Sequence, residues 1–150
     1  PIFNGALDDH RRIMEADLAA SFAKEYSDGK DQLSDVLREM IERGQQVLAV
    51  DYNAALARIA DYRAEIDEII NEFDAILTPA TAGEAPVGLD ATGSPAFCTI
   101  WTLAGAPALT MPILQGPSGM PLGVQLVSAK GDDGRLFRTA RWLLGTLEEE

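Results

Sequence analysis

The distribution of proline is the feature that most constrains the fold of this 150-residue chain. Residues 8–73 contain no proline, whereas seven of the eight prolines fall within residues 74–128. Proline removes a backbone donor and breaks helix interiors, so only the first of these stretches can be helical throughout. We therefore predict a helical segment (8–73), strands and loops (74–128) and a C-terminal helix (132–150). Together they would form a single domain over residues 1–150, which the family resemblance described below implies is partial.

Apolar spacing places three helices in the proline-free segment. The first is predicted from Asp8 to Tyr26, with Met14, Leu18, Phe22 and Tyr26 on one face. The second is predicted from Leu33 to Arg43, with Gly44 as the residue that ends it in a left-handed conformation. The third and strongest pattern steps by four and three residues alternately, and its members are Leu48, Tyr52, Ala55, Ile59, Tyr62, Ile66, Ile69 and Phe73. We expect this long helix to lie against the first two as a hairpin, with a partner-binding coiled coil as the alternative.

Proline and glycine divide the following segment into short elements. Residues 74–79 are apolar and end in Thr-Pro, which is typical of a buried strand. Residues 80–95 form a long loop without periodicity, and loops of this length in compact domains tend to be functional or disordered. A helix of two turns is expected from Phe97 to Ala104, ending at Gly105.

Two strands and a helix are predicted for the remainder of the chain. Residues 108–114 and 122–128 are the strands, and a Gly/Pro-rich turn joins them. The final helix is expected at residues 135–147, with Asp132 or Asp133 as its N-cap. Its apolar face would consist of Leu136, Ala140, Leu143, Leu144 and Leu147.

Charge and rare residues exclude several classes of protein. The net charge is −12, with scattered lysines and arginines, which argues against nucleic acid as a partner. A single cysteine, Cys98, and a single histidine, His10, give neither an internal disulfide nor a zinc signature, and His10 is interpreted as a solvated residue at a helix start. No apolar run is long enough to span a membrane, and nothing resembles a signal peptide, so we expect a cytoplasmic protein without membrane contact.

The residues alone do not compose an active site. None of the six serines lies in a nucleophile elbow, and Ser94 and Ser118 are explained by turn chemistry. The three lysines lie in polar surroundings, and the glycines match neither a phosphate-binding loop nor a dinucleotide fingerprint. Cys98 lies in an apolar stretch, where cysteine is most often a small packed residue.

An ordered set of motifs nonetheless resembles a known family. FDAILTPAT (73–81) is followed by Ala85-Pro86, then TLAGAPALTMPI (102–113), then GMPLGVQLVS (119–128), and finally an Asp-rich entry to a Leu-rich helix. This order resembles the C-terminal part of the amidase signature family, the Ser–Ser–Lys amide hydrolases. The resemblance implies an α/β fold, of which this chain would hold a long helix hairpin and a few strands of a mixed sheet.

The resemblance also implies an activity. The family hydrolyses carbon–nitrogen bonds of amides, so the substrate would be a small-molecule amide, and no cofactor is implied because the reaction needs only water. No GGSSGG-like run, no adjacent Ser-Ser pair and no lysine beside apolar strand residues occurs here. We therefore expect the catalytic residues to lie outside this chain, and the chain alone to be inactive.

Substrate-lining residues are implied by the same resemblance, because the loop before Phe97 lies beside the substrate cleft in the family. The candidates are Thr81, Ala82, Phe97, Cys98 and Trp101. Trp101 as a plain core residue is an equally good interpretation, since aromatic side chains dominate buried area. An amide with an apolar or aromatic group fits Phe97 and Trp101.

The expected partner is the N-terminal catalytic part of the same polypeptide. The apolar stretch from Phe97 would pack against it, and Gly105 and Gly123 would allow close backbone approach. Isolated, the chain is expected to self-associate through the surface left exposed.

Two other functions stay open. The A-type catalytic component of a tRNA-dependent amidotransferase shares the fold, but the acid that such components carry shortly before the TLAG motif is missing here, and the closest acid is Asp90. The other is a non-catalytic interaction protein that keeps an amidase-like shape.

Overall fold

The computed structural model describes residues 2–148, and the side chains of residues 2–147. The chain divides into two compact units, Pro1–Asp61 and Tyr62–Glu150, which are described separately below. The predicted positions 149 and 150 of the last helix lie outside the described residues. The elements are α1 (Ala6–Ser21), α2 (Ala23–Gly29), α3 (Asp35–Gly44), α4 (Ala49–Glu72), β1 (Ile76–Pro79), α5 (Ala96–Ala104), β2 (Ala108–Gln115), β3 (Pro121–Val127) and α6 (Asp133–Glu148), with short 3₁₀ turns at Ile2–Gly5 and Lys30–Gln32.

In the first unit, α1 packs closely against α3, and Gly44 makes this approach possible. A Cβ atom on Gly44 would lie 1.9 Å from the backbone oxygen of Glu15. The prediction that Gly44 ends α3 in a left-handed conformation was wrong. Gly44 is the last helical residue, the next residue, Gln45, is right-handed (φ −63°), and Gly44 is needed for helix contact. At the other end of α3, the Ser34 hydroxyl accepts a hydrogen bond from the Leu37 N–H at 3.3 Å and caps the helix.

The first predicted helix is interrupted. α1 ends at Ser21 and α2 begins at Ala23, and the intervening Phe22 is exposed, so the prediction of one continuous helix with Phe22 on its buried face was wrong. The helix was predicted to end at Tyr26, whereas α2 continues to Gly29. His10 is half-buried in α1 rather than fully solvated, and burial lowers its pKa.

Ion pairs replace apolar side chains on the buried side of α1. Asp9 and Glu15 are 1% and 5% exposed. The Asp9 carboxylate accepts two hydrogen bonds from the Arg58 guanidinium, one of them 2.6 Å long, and Glu15 accepts two from Arg43 at 2.9 and 2.7 Å. Pairing of this kind offsets part of the cost of burying a carboxylate.

The apolar pattern predicted for the third helix, α4, is confirmed in its middle and wrong at its ends. Ala55, Tyr62 and Ile66 are buried, whereas Leu48 and Phe73 are 63% and 60% exposed. These two residues lie just outside the helix, which begins at Ala49 and ends at Glu72, so the helical period does not orient them.

The second unit contains a three-stranded antiparallel sheet in the order β1-β3-β2. α6 covers one face, where Met111 and Leu126 of the sheet pack against Leu136 and Ala140 of the helix. Further along α6, the predicted apolar face is exposed at Leu144 and Leu147. The N-cap position of α6 is Asp132, whose carboxylate pairs with Arg135 at 2.8 Å.

The opposite face of the sheet carries α5. Because strand side chains alternate between faces, Gln125 points away from its α6-facing neighbour Leu126. Gln125 pairs with Thr78 on β1 and with Thr110 on β2, so these three residues form a row across the sheet. α5 ends at Gly105, whose φ of +66° is the left-handed conformation that favours glycine. The predicted end of this helix is therefore confirmed.

Candidate functional site

Thr81, Ala82 and Phe97 lie together around an apolar depression of about 440 Å³. Phe97 comes from the first turn of α5, and Thr81 and Ala82 follow the end of β1. The rest of the lining is mostly aliphatic, and includes Leu77, Pro79, Leu114, Leu122 and Val124. No residue of this lining carries a charge. The depression can therefore accept an apolar group without desolvating an ion.

Cys98 and Trp101 line a different depression, of about 550 Å³. Cys98 is exposed, and its sulfur lies 3.7 Å from the Ala80 carbonyl oxygen and 3.9 Å from Gln125 Oε1. Trp101 is half-buried, and its Nε1 has no hydrogen-bond partner within the described part of the chain. The structure therefore divides the five predicted residues into two groups, which line two different depressions.

A carboxylate anchors the long loop between β1 and α5. Glu84 Oε1 accepts hydrogen bonds from the backbone N–H groups of Ser118 (2.9 Å) and Met120 (3.2 Å), in the turn between β2 and β3. Hydrogen bonding from Ser118, and then from Met120, lowers the pKa of the Glu84 carboxyl. Gly116 leaves room for this contact, since a Cβ there would lie 2.2 Å from Glu84 Oε1. Glu84 was not predicted from the sequence, because its partners are backbone groups far along the chain.

We expect the Glu84 anchor to fail in acid. A lowered pKa means that the charged carboxylate is bound more tightly than the neutral acid, so the contribution to stability is present above the ordinary pKa of glutamate and is lost as pH falls through the lowered one. The protection of the Ser118 and Met120 amides, measured as their hydrogen-exchange rate relative to that of an unstructured peptide at the same pH, should fall over that acidic range. Glu84→Ala should produce the fast exchange already at neutral pH, whereas Asp90→Ala in the same loop should not. Slow exchange in Glu84→Ala would contradict the assignment of the anchor.

Gln125 is the second residue that was not predicted from the sequence. It is only 2% exposed, and its side-chain Nε2 donates to Thr78 Oγ1 at 3.1 Å and to the Phe97 carbonyl oxygen at 3.0 Å. The signals in the sequence are a lone polar residue within the otherwise apolar strand PLGVQLV and its place in the motif GMPLGVQLVS. At the far end of α5, Arg63 Nε donates to the Ala104 carbonyl oxygen at 2.7 Å. Two side chains thus hold the two ends of α5.

The serine side chains within residues 2–148 make no hydrogen bond to a basic side chain, and the Ser94 hydroxyl accepts from the nearby Ala96 N–H at 3.3 Å. The same residues hold no cluster of three or more His, Cys, Asp or Glu suited to a metal ion. None of the described helices is both long and apolar enough to cross a membrane.

Comparison with known proteins identifies the family. The model of the amidase family matches residues 6–137, and the chain therefore belongs to that family. A crystal structure of an amidase superposes with a TM-score of 0.85 at 26% identity, covering 96% of this chain and 36% of that one. This match confirms the predicted amidase-like α/β fold.

Curated relatives of different function align with similar strength. The A component of the glutamyl-tRNA(Gln) amidotransferase of Thermotoga maritima is 29% identical over 141 residues, which are 87% of this chain and 29% of that protein. The 6-aminohexanoate-cyclic-dimer hydrolase of Paenarthrobacter ureafaciens is 26% identical over 129 residues, covering 73% of this chain and 26% of the relative. The chain thus spans between a quarter and a third of the length of these relatives.

Proposed function

We propose that this chain is the C-terminal region of an amidase that hydrolyses a carbon–nitrogen bond of a neutral small-molecule amide. The catalytic serines and lysine would lie in an N-terminal part of the same polypeptide. Membership of the amidase family supports the reaction, and the short span relative to known members supports a catalytic centre located elsewhere. The lack of a serine–lysine hydrogen bond within residues 2–148 agrees with this division.

The uncharged lining around Phe97 is the observation that carries the proposed substrate class. Phe97 and its aliphatic neighbours offer contact area to an aryl or alkyl group. A substrate carboxylate would require an arginine, a lysine or several backbone N–H donors for its charge. Glu84, on the rim of the adjacent loop, already has its carboxylate engaged with the turn and would repel an anion.

The same observation bears on the tRNA-dependent amidotransferase as the alternative. The relatives include the A component of such an enzyme, and a glutamine substrate carries an α-carboxylate. Neither the Phe97 depression nor the Cys98 depression has an arginine or lysine in its lining. Dependence of activity on a charged tRNA and on partner proteins would favour the amidotransferase. An interaction protein without catalysis would show no hydrolysis in the complete polypeptide.

The substrate class is tested by Phe97→Ala in the complete polypeptide that contains this chain. With a neutral anilide bearing an apolar acyl group, we expect KM to rise about tenfold, because the apolar contact area around the acyl group is lost. Trp142→Ala, which removes an exposed aromatic residue on α6, should leave KM unchanged. A neutral anilide should be hydrolysed with a higher kcat/KM than its carboxylate-bearing analogue. Equal or reversed preference would contradict the proposed substrate class.

The proposed N-terminal partner would cover the two outer strands. β1 and β2 are the edge strands of the sheet among the described residues, and Leu77 and Leu114 on them are 61% and 54% exposed. Unpaired edges with apolar side chains form a template for pairing with another chain. In the complete polypeptide this template would be filled by the N-terminal part.

The chain alone is expected to self-associate through these edges. Its apparent mass in sedimentation velocity should rise with concentration, and the double substitution Leu77→Lys with Leu114→Lys should shift it towards the monomer. Val36→Lys, which removes an equally exposed apolar residue from α3, should not. A monomer at all concentrations would contradict the expectation that the exposed edge strands drive self-association.

A further inference from the structure

Gln125 is the polar residue that links the elements around the candidate site. It lies on the central strand, it is only 2% exposed, and its amide nitrogen bonds both Thr78 of β1 and the Phe97 carbonyl of α5. Its amide oxygen faces the Cys98 sulfur at 3.9 Å. An apolar residue of similar size would fill the same space without hydrogen bonds, so burial alone does not explain a glutamine here.

The contact with α5 falls on the turn that matters for the candidate site. α5 has nine residues. The side-chain hydrogen bonds at its start, from the Ala96 N–H to Ser94 Oγ and from Thr99 Oγ1 to the Pro95 carbonyl, are local and do not tie the first turn to the sheet. Successive residues of a helix point about 100° apart. A modest rotation of α5 about its axis would therefore turn Phe97 away from the depression that it lines. A hydrogen bond from the buried strand to the Phe97 carbonyl fixes that orientation against the sheet.

We infer that Gln125 is a positioning residue that sets the orientation of the first turn of α5 and thereby places Phe97 and Cys98 at the candidate site. The role of this orientation in substrate binding rests on the proposed function, whereas the effect of Gln125 on the orientation of α5 does not. Arg63 acts on the last turn of α5 through the Ala104 carbonyl. It therefore provides a contact of the same kind that does not reach the site.

Cys98 reports the geometry directly, because it is the only cysteine of the chain and is exposed. Its rate of reaction with a thiol reagent such as dithionitrobenzoate can be measured in this chain without any substrate. We expect Gln125→Met, which keeps the volume and removes the hydrogen bonds, to change the rate about fivefold or more. Arg63→Met should keep it within about twofold, although it also removes a hydrogen bond to α5. These factors correspond to about 1 and 0.4 kcal/mol in activation free energy.

Two results would overturn the inference: an unchanged labelling rate in Gln125→Met, or an equal change in both variants, which would indicate general loosening. Should Gln125→Met fail to fold, the wild-type chain supplies a second test. Its Gln125 side-chain amide protons should exchange with solvent far more slowly than those of the exposed Gln46. Fast exchange would contradict the two hydrogen bonds. A failure of amide hydrolysis in the complete polypeptide would refute the proposed function and leave the labelling result standing.

Discussion

Replacing Gly44 with alanine is expected to destabilise the first unit by about 3 kcal/mol, because a new Cβ would overlap the main chain of the neighbouring helix. The methyl carbon would lie 1.9 Å from the Glu15 carbonyl oxygen and 2.9 Å from the Ala19 Cβ. Backbone atoms cannot rotate away as a flexible side chain can, so α1 and α3 would have to separate. The measurement is urea unfolding followed by far-UV circular dichroism.

Gly29→Ala is the matched control for this substitution. The nearest atoms to a Cβ at Gly29 belong to the flexible Gln32 side chain, 3.6 Å away, so a methyl group there meets no backbone atom of a neighbouring helix. The free energy of unfolding should change by about 0.5 kcal/mol or less. If Gly44→Ala were as mild as Gly29→Ala, the close packing of α1 on α3 would be contradicted.

Replacing Arg58 with methionine is expected to cost about 3 kcal/mol, because the buried Asp9 carboxylate loses its bidentate partner. Asp9 is 1% exposed, and Arg12 remains beside it with a single contact of 3.3 Å. Methionine keeps the apolar stem of the arginine side chain, so the loss reflects the guanidinium. Thermal unfolding of the variant should show a clearly lowered Tm.

Arg11→Met tests whether burial is the cause. Arg11 pairs with Asp8 in the same helix, but both side chains are 63% exposed. Such a pair contributes about 0.5 kcal/mol or less, so the Tm should hardly move. Equal losses in the two variants would mean that the net charge of the chain, and not the buried pair, governs its stability.

Prediction from the sequence succeeded for elements marked by local signals and failed for contacts between residues far apart in the chain. The strands and α5 could be predicted because proline and glycine are local signals, as Gly105 shows at the end of α5. The break at Phe22 carries no proline or glycine signal, and the contact of Gly44 depends on what another helix presents at that point. The burial of Asp9 and Glu15 could not be predicted for the same reason, because the arginines that pair with them are 49 and 28 positions away.

The candidate site was predictable in part. Family resemblance pointed to residues that the structure places around α5, but only Thr81, Ala82 and Phe97 share one depression. Cys98 points about 100° away from Phe97 around the helix axis, and Trp101 lies one turn further along α5, where both line the other depression. Glu84 and Gln125 carry no periodic signal, since each acts through backbone or hydroxyl groups that only the folded chain brings near.

The central claim is that this chain belongs to an amidase whose catalytic residues lie elsewhere in the polypeptide. The most direct test compares hydrolysis of one neutral anilide by this chain alone and by the product of its complete reading frame. We expect no hydrolysis above the blank from the chain alone, and turnover by the complete product that is lost when a serine of its Ser–Ser–Lys set is replaced by alanine. Turnover by the chain alone, or a complete product without that set and without activity, would contradict the account.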